Sequence, residues 1–421
     1  MDRFLIQGGE PLQGTVSTAR AKNAVLPLLA ACLLTEDTCT IKDVPALEDV
    51  NTMLKLLRLI GVRIEQENRT VHLTAQGKLN HEAPYDIVRK MRASYYVLGP
   101  LLARFGTCRV SLPGGCAIGP RPVDLHIKGV TALGAKVAVE RGYIHARAKK
   151  LNGNTMMLEG YKGPSVGATI NTMMAATLAR GETVIEGAAC EPEVVDLANF
   201  LNAMGARISG AGTPEIRIQG VKQLSGTTHR PIADRIEAGT FAVAAAITRG
   251  TVQITDCQPE HLTAVLTKLK EIGARIAIDQ TSIQVEMKSR PRATKISTAP
   301  YPGFPTDLQA QFTALLTIAA GTSTITENIF ESRFLHALEL NRMGASIDIN
   351  GNMAVIHGVE KLQGAQVMAS DLRASAALVL AGLAARGKTE ILRIYHLDRG
   401  YEHLEKKIAR LGGKIKRIKP T

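Results

Sequence analysis

A short pattern occurs six times along this chain: an apolar residue, a glycine, a small residue, any residue and a second apolar residue. Its glycines are Gly61, Gly134, Gly205, Gly273, Gly344 and Gly412. Successive copies are 73, 71, 68, 71 and 68 residues apart, a spacing too even for chance. Self-similarity at a fixed period indicates a repeated supersecondary unit. The 421 residues are therefore predicted to form six versions of one unit, in two groups of three.

Each glycine joins a segment of helical periodicity to a segment that alternates. Residues 193–201 place apolar side chains at helical spacing before Gly205, and residues 275–279 and 282–286 alternate with a period of two after Gly273. The glycine itself predicts a left-handed C-cap. A more apolar helix and a short strand precede each such segment, so the predicted unit is helix–strand–helix–strand–strand. Because the first helix is apolar nearly all round, we expect it to be buried.

The apolar run at residues 24–34 follows a lysine, as the core of a signal peptide does. It is too short to span a membrane, and it matches the buried first helix of the other five units. We therefore expect it to belong to the protein core, and we expect no targeting or membrane-spanning segment.

The six cysteines show neither metal-binding nor disulfide spacing, which predicts no structural metal and fits a reducing cytoplasm. Cys32, Cys39, Cys108 and Cys257 lie in apolar or strand-like contexts. They are expected to be small buried hydrophobic residues.

The chain is basic, with 51 Lys and Arg against 38 Asp and Glu and a net charge of +13. One interpretation is nucleic-acid binding. Against it, the chain has no Trp, only 4% aromatic residues and no long Lys/Arg run. The densest basic cluster, at residues 414–419, is more typical of a solvated strand end. An anionic small-molecule substrate is therefore favoured over a nucleic-acid partner.

The starts of the six buried helices carry polar and charged residues that the helix bodies lack. These starts are Lys22-Asn23, Arg92-Ala93-Ser94, 165–169, 234–237, 307–309 and 371–373. They stand 36 to 42 residues before the repeat glycines, so they are equivalent positions. Because helix N-termini attract anions, the pattern favours an anion site that includes Lys22, Arg92 and Arg373. The alternative is that the acidic residues and Ser165 are only N-caps, which is the expected role of Asp234.

A loop rich in glycine and proline at residues 112–122 has Cys116 at its centre. Such a loop is expected to be exposed and to move as a lid. The neighbouring Arg121 favours the thiolate, so Cys116 is predicted to be chemically active. The alternative is a tolerated surface thiol.

The equivalent loops of two later units carry Arg333 and Arg399. Guanidinium groups suit carboxylate and phosphate because they form paired hydrogen bonds with both. The alternative for these two arginines is an ion pair at a helix end, with Glu331 or Asp398.

Together these residues resemble the enolpyruvyl transferases over essentially the whole chain. The motifs are Ala21-Lys22-Asn23-Ala24, Met91-Arg92-Ala93-Ser94, Pro113-Gly114-Gly115-Cys116, Arg121-Pro122-Val123-Asp124-Leu125-His126, Ser165-Val166-Gly167-Ala168-Thr169, Phe304-Pro305-Thr306-Asp307, Asp371-Leu372-Arg373-Ala374 and Asp398-Arg399-Gly400-Tyr401. The resemblance implies an α/β fold, an inside-out α/β barrel of two domains with three repeats each. One domain would span 22–229 with the Cys116 loop, and the other 1–21 plus 230–421 with Asp307. The active site would lie in the cleft between them.

The resemblance also implies a reaction. The enolpyruvyl group of phosphoenolpyruvate would pass to the 3-hydroxyl of UDP-N-acetylglucosamine by addition and elimination through a tetrahedral ketal, with release of phosphate. This reaction is the first committed step of peptidoglycan synthesis, and no metal or organic cofactor is implied. The cysteine in the loop implies sensitivity to the epoxide fosfomycin.

The same resemblance assigns roles to residues. Asp307 would take the proton from the attacking hydroxyl, and Cys116 would deliver a proton to C-3 of phosphoenolpyruvate. A thiol pKa of about 8.5 leaves most of the thiol protonated at neutral pH, as a general acid requires. The cations that would hold the phosphate and carboxylate are Lys22, Arg121 and Arg399, with Arg92, Arg333 and Arg373 around them. The other residues assigned to substrate binding are Asn23, Pro122, Val123, Asp124, Leu125, Ser165, Val166, Gly167, Ile329 and Asp371, and Asp307 would also bind the nucleotide sugar.

One position departs from the family. Arg20 stands where the family has a glycine, two residues before Lys22. The alternatives for its side chain are an added phosphate contact, a crowded site or an orientation away from it. Its backbone is strained if that glycine needs a positive φ.

Two rival functions remain. The shikimate-pathway enolpyruvyl transferase shares the fold and the donor, but the Pro-Gly-Gly-Cys loop and the Arg-Pro-Val-Asp-Leu stretch argue against it. A non-catalytic regulator or nucleic-acid binder built on the same repeats predicts a degraded site, whereas Asp307 and the arginines are all present.

Overall fold

The computed structural model describes residues 2–112 and 123–419. Of the predicted site, Cys116, Arg121 and Pro122 lie outside the described residues, as does the side chain of Arg92. The α-helices of the described residues are α1 (Lys22–Ala31), α2 (Glu48–Ile60), α3 (Tyr85–Val88), α4 (Leu98–Phe105), α5 (Asp124–Ala132), α6 (Val166–Ala176), α7 (Pro192–Ala203), α8 (Arg235–Ile247), α9 (Thr263–Glu271), α10 (Gln309–Leu316), α11 (Leu335–Arg342), α12 (Leu372–Ala384) and α13 (Leu404–Arg410). Shorter 3-10 helices are Cys32–Leu34, Arg92–Val97, Pro259–Leu262, Thr306–Leu308 and Ile394–Arg399.

The strands of residues 2–112 and 123–419 form six four-stranded sheets and one two-stranded sheet, Glu159–Gly160 with Gly163–Pro164. In order of pairing, three of the sheets are Thr228–His229, Cys39–Ile41, Thr70–Thr74, Arg63–Glu67; Glu82–Ala83, Thr107–Ser111, Tyr143–Arg147, Lys136–Glu140; and Thr155–Met157, Glu182–Glu186, Glu215–Gln219, Arg207–Ser209. The other three are Gln13–Ser17, Thr251–Thr255, Ser282–Glu286, Arg275–Asp279; Lys295–Ser297, Thr322–Thr326, Met353–His357, Ser346–Asn350; and Gln366–Met368, Lys388–Leu392, Arg3–Gln7, Lys414–Ile418.

All six sheets have the same topology. The first strand is parallel to the second, and the remaining pairs are antiparallel. The hairpin predicted at residues 275–286 is confirmed. In the sixth sheet the third strand is Arg3–Gln7, from the start of the chain, and Gln13–Ser17 is the edge strand of the fourth sheet. The first residues therefore complete two sheets of the C-terminal half.

Contacts divide the described residues into two compact units, residues 20–112 with 123–232 and residues 2–19 with 233–419. The family resemblance predicted a division after residues 21 and 229. The contacts place residues 20–21 and 230–232 with the first unit, because Arg230 pairs with Asp43, the Ile232 amide donates to Asp196, and the Ala21 amide donates to the Ile232 carbonyl at 2.8 Å.

Within each unit the apolar helices are buried and the sheets are half exposed. In the C-terminal unit α8, α10 and α12 pack against one another, and strands such as Thr251–Thr255 alternate between buried and exposed side chains. The run at residues 24–34 is buried throughout, as predicted. No helix among the described residues is long and apolar enough to cross a membrane.

The six repeat glycines have φ values from 85° to 108°. Gly61 is the left-handed C-cap of α2, and its amide donates to the Leu57 and Arg58 carbonyls. This conformation is unfavourable for residues with a Cβ, so the predicted caps are confirmed.

Two of the six predicted helix starts are 3-10 turns instead of the first turn of an α-helix. Arg92 begins the 3-10 helix Arg92–Val97, and Asp307 lies inside Thr306–Leu308, two residues before the start of α10. The Leu308 amide donates to the Pro305 carbonyl at 3.0 Å, an i+3 spacing that tightens this turn. The side chain of Asp307 is therefore not an N-cap and is available for tertiary contacts.

Candidate active site

Asp307 lies between two arginines. Its Oδ1 is 2.7 Å from Arg333 Nη2, and its Oδ2 is 2.7 Å from Arg373 Nη2. The 3-10 turn before α10 holds Asp307, the segment before α11 holds Arg333, and the first turn of α12 holds Arg373. Both arginines are 5% exposed. The structure thus brings together three of the residues assigned by sequence.

The two guanidinium groups dominate the electrostatics of Asp307. Burial by itself raises the pKa of this carboxyl, but Arg373 and Arg333 outweigh it and hold the pKa of Asp307 well below its ordinary value. Burial lowers the pKa of Arg373, and Asp307 more than compensates, so that pKa is raised. The cluster is therefore fully charged near neutral pH.

Arg373 is supported by a polar network that sequence analysis did not assign. Its Nη1 donates to the hydroxyl of Tyr401 at 3.3 Å. That hydroxyl also lies 2.8 Å from Thr240 Oγ1 and accepts from Gln311 Nε2 at 3.2 Å. Tyr401 is 2% exposed, and burial raises its pKa, so the phenol stays neutral. A polar residue such as Gln311 inside an apolar helix was the signal in the sequence.

Arg333 is supported from the other side. Its Nη1 donates to Thr306 Oγ1 at 2.8 Å, and the Thr306 hydroxyl donates to Glu327 Oε2 at 2.8 Å. Glu327 was missed by sequence analysis. The alternation of the preceding strand could have indicated it. Ser323, Ile325 and Glu327 are alternate residues that are all buried, and the last of them carries a carboxylate.

In the other unit, Lys22 begins α1 and its Nζ lies 3.0 Å from Asp49 Oδ2. The two side chains are 12% and 6% exposed. Asp49 lies in the first turn of α2, and sequence analysis did not single it out. The ammonium group is thus held in a fixed position at the start of α1, where Asn23 follows it.

The starts of α5 and α6 lie close together. A Cβ added to Gly167 would lie 2.9 Å from the His126 ring. Asn171 joins the segments: its Nδ2 is 2.9 Å from His126 Nδ1 and donates to the Tyr95 carbonyl at 3.0 Å. Two of the predicted substrate-binding stretches are therefore neighbours, and they comprise Val123, Asp124 and Leu125 with Ser165, Val166 and Gly167.

Three of the polar helix starts are N-caps. Asp371 Oδ1 accepts from the Arg373 and Ala374 amides at 2.9 and 3.0 Å, and Ser165 Oγ accepts from the Ala168 amide at 3.3 Å. Asp234 caps α8 as predicted. The second carboxylate oxygen of Asp371, Oδ2, takes no part in the cap and accepts from the Ser370 hydroxyl at 3.1 Å.

The remaining assigned residues lie in the C-terminal unit. Ile329 donates its amide to Glu327 Oε1 at 2.8 Å. Arg399 ends the 3-10 helix Ile394–Arg399. The neighbouring carboxylate of Asp398 pairs with Arg417 on the last strand.

Arg20 is buried, with 7% of its surface exposed. It is not among the residues with positive φ, so the condition for backbone strain at this position is not met. Its charge contributes to lowering the pKa of Asp43, after the hydrogen bond and charge of Arg230. Arg20 thus lies near a carboxylate of its own unit.

The described cysteines are Cys32, Cys39, Cys108, Cys190 and Cys257, and the four predicted to be buried are buried. Burial raises the pKa of Cys108 to about 12 and that of Cys257 to about 11. Among the residues that the structure describes, no three His, Cys, Asp or Glu side chains are grouped to hold a metal ion.

Comparison with known proteins assigns the class. The sequence profile of EPSP synthase (3-phosphoshikimate 1-carboxyvinyltransferase) matches residues 6–408. The chain belongs to this family of enolpyruvyl transferases.

Within that class, the chain is similar over its full length to proteins that act on a nucleotide sugar. UDP-N-acetylglucosamine 1-carboxyvinyltransferase from Desulfosudis oleivorans is 56% identical over 420 residues, with 100% of each chain covered. The protein of the same name from Methylacidiphilum infernorum is 53% identical over 419 residues, with 99% of each chain covered.

Solved structures share the fold. The enolpyruvyl transferase NikO from Streptomyces tendae has a TM-score of 0.89 at 23% identity and covers 100% of this chain and 99% of its own. EPSP synthase from Acinetobacter baumannii has a TM-score of 0.75 at 20% identity, with 100% of both chains covered. The two-domain α/β fold predicted from sequence is the fold of these proteins.

Proposed function

We infer that the protein transfers the enolpyruvyl group of phosphoenolpyruvate to the 3-hydroxyl of UDP-N-acetylglucosamine and releases phosphate. This is the first committed step of peptidoglycan synthesis. The observation that carries the inference is the full-length identity of 53% to 56% with proteins named for this reaction. The cysteines, which lack disulfide spacing, support a cytoplasmic location as part of the proposal.

The proposed chemistry has two steps. The hydroxyl oxygen of the sugar attacks C-2 of phosphoenolpyruvate while its proton passes to Asp307, and C-3 takes a proton from Cys116. The ketal then collapses: the bond from C-2 to the phosphate oxygen breaks, the departing phosphate takes the proton held by Asp307, and C-3 returns a proton to the thiolate of Cys116 as the double bond forms again. Fixed cations that face the developing charge supply most of the stabilisation.

The pKa of Asp307 beside two arginines is too low for a base. It must rise before Asp307 can accept the proton. The anionic groups of phosphoenolpyruvate compete with Asp307 for Arg333 and Arg373. A guanidinium that pairs with phosphate or carboxylate of the substrate stabilises the aspartate less, and the pKa of Asp307 then rises towards the range in which it accepts a proton. Binding of the donor thus prepares the base.

The other roles follow the family resemblance and remain part of the proposal. Lys22, Arg121 and Arg399 bind the phosphate and carboxylate, with Arg92 beside them. The residues proposed to bind the nucleotide sugar are Asn23, the stretch 121–125, Ser165, Val166, Gly167, Asp307 and Ile329. The proximity of α5 and α6 supports a shared surface for the stretches that begin these helices.

Phosphate release with phosphoenolpyruvate and either UDP-N-acetylglucosamine or shikimate 3-phosphate tests the proposal. The second acceptor is included because the family profile is described by that reaction. We expect release that requires the nucleotide sugar and stops once Cys116 is alkylated. Release with shikimate 3-phosphate alone, or with neither acceptor in folded protein, would refute the assignment.

A further inference from the structure

A chain of three hydrogen bonds connects a buried carboxylate to Asp307. The Thr306 hydroxyl donates to Glu327 Oε2 at 2.8 Å and accepts from Arg333 Nη1 at 2.8 Å. The Nη2 atom of the same arginine donates to Asp307 Oδ1 at 2.7 Å. Because Thr306 and Asp307 are adjacent, the guanidinium plane of Arg333 bridges two consecutive residues. Glu327, at the other end, is 2% exposed.

The carboxylate of Glu327 is surrounded by donors. Its Oε1 accepts from the Thr298 hydroxyl at 3.0 Å and from two backbone amides at 2.8 and 3.1 Å. This is the environment of an ionised group, since a protonated carboxyl needs an acceptor for its own hydrogen. The single proton of the Thr306 hydroxyl points to Glu327, so the oxygen presents a lone pair to Arg333. Glu327 therefore sets the direction of the hydroxyl that holds the arginine.

The charge of Glu327 matters when Asp307 changes its own charge. In the proposed reaction Asp307 takes a proton and becomes neutral. Arg333 and Arg373, both 5% exposed, then lose the negative charge that they share and are paired only with the anionic groups of the substrate. Weakening the pairing of a buried charge is unfavourable, because the charge is then only partly compensated. Glu327 provides Arg333 with a second negative charge, one hydroxyl away, that does not depend on the protonation of Asp307.

We propose that Glu327 is a positioning residue for the proton acceptor Asp307 and that it acts through Thr306 and Arg333. The inference rests on the proposed function, because it concerns the group proposed to take the hydroxyl proton. Glu327 keeps the guanidinium of Arg333 in place through the step in which the aspartate changes its charge.

Substitution of the linking hydroxyl tests this role in turnover. Thr306→Val keeps the size of the side chain and breaks the link, and we expect kcat to fall by about 10- to 100-fold while the KM for both substrates changes little. Thr306→Ser keeps the hydroxyl and is expected to restore most of kcat. Glu327→Gln removes the charge and is expected to lower kcat in the same way as Thr306→Val.

The matched control is Thr317→Val, in the same unit. Thr317 is fully buried and donates to the Ala314 carbonyl at 2.7 Å, so the same substitution removes one buried hydroxyl at a distance from Arg333. We expect it to lower the unfolding midpoint without changing kcat. Equal kcat values for Thr306→Val and Thr317→Val, or a Thr306→Ser enzyme as slow as Thr306→Val, would overturn the proposal.

A second measurement does not require activity. The unfolding midpoint is compared for Glu327→Gln, Arg333→Met and the double variant, with Arg333→Lys in place of Arg333→Met if that variant does not fold. We expect the unfolding midpoint of the double variant to fall by less than the sum of the decreases in the two single variants, because both substitutions remove the same linked interaction. Additive losses in an active enzyme would overturn this inference alone, whereas absence of phosphate release from the unmodified chain would overturn the proposed function.

Discussion

Arg373 Nη2 lies 2.7 Å from Asp307 Oδ2, although the two residues are 66 positions apart in the chain. Arg333 Nη2 contacts the other oxygen at the same distance. One carboxylate thus neutralises part of the charge of two buried cations. This shared charge makes Asp307 important for stability as well as for the proposed chemistry.

Asp307→Asn is expected to lower turnover by about 10²- to 10⁴-fold, because it removes the group that takes the proton. It should also reduce the free energy of unfolding by about 3–5 kcal/mol, because two buried arginines lose their partner. Phosphate release and urea denaturation measure the two effects. Asp348→Asn is the control, since Asp348 is 69% exposed and its pairing with His357 contributes little. Full activity in Asp307→Asn would contradict the assigned role.

The contribution of Asp307 to stability should depend on pH. Its pKa is well below the ordinary value in the folded protein, so the contribution is complete above the unfolded pKa of about 3.9 and is lost as pH falls through the folded pKa. We expect the difference in unfolding free energy between the unmodified chain and Asp307→Asn to be constant from neutral pH to about pH 5 and to shrink below about pH 4. A difference that is unchanged at pH 3 would show that the arginines do not hold the pKa down.

His336 should make the stability of the protein depend on pH in a higher range than Asp307 does. Burial lowers its pKa from 6.5 to about 4, against the opposing charge of Asp371. The contribution of neutral His336 to the free energy of unfolding is therefore complete above pH 6.5. It decreases as the pH falls towards 4, by up to about 3 kcal/mol. His336→Gln should remove this pH dependence from the free energy of unfolding, and His72→Gln, in the other unit, should leave it intact. The same slope in His336→Gln would exclude His336 as its source.

The pair of Lys22 and Asp49 should matter for binding of the donor. Asp49→Asn leaves a buried ammonium without its counter-charge, so we expect a higher KM for phosphoenolpyruvate and a loss of about 3–5 kcal/mol in stability. Glu36→Gln breaks an ion pair with Arg104 in which the glutamate is 66% exposed, and it should change stability by less than about 1 kcal/mol. An unaltered KM for phosphoenolpyruvate in Asp49→Asn would show that this ion pair does not contribute to substrate binding.

Thiol reagents should label Cys116 before the described cysteines. Cys32, Cys39, Cys108 and Cys257 are 0% to 3% exposed, and burial raises the pKa of the partly exposed Cys190. Mass spectrometry after brief treatment with fosfomycin should find one adduct, at Cys116. Cys116→Asp should keep turnover and lose the adduct. Labelling of a second cysteine at the same rate would contradict this selectivity.

Much of the fold could be predicted because it depends on local interactions. The glycines at helix ends need a positive φ, and the apolar helices and alternating strands have their own periods, so the hairpin at 275–286 and the buried run at 24–34 were expected correctly. The sequence indicated the polar helix starts but not their exact geometry. Asp307 precedes α10 in a 3-10 turn because its side chain takes part in tertiary ion pairs and does not cap the helix.

The sequence by itself determined the repeat, its elements and the residue types at each helix start, since these depend on neighbours a few positions apart. Only the tertiary structure decided that Arg333 and Arg373 converge on one carboxylate, that Asp49 holds Lys22, and that Glu327 is linked to Arg333. The partners 26 and 27 residues apart meet because the two helices of one unit pack together, and the partners 66 residues apart meet because α10 and α12 of successive units pack together. No local pattern records which side chains that packing brings within hydrogen-bonding distance.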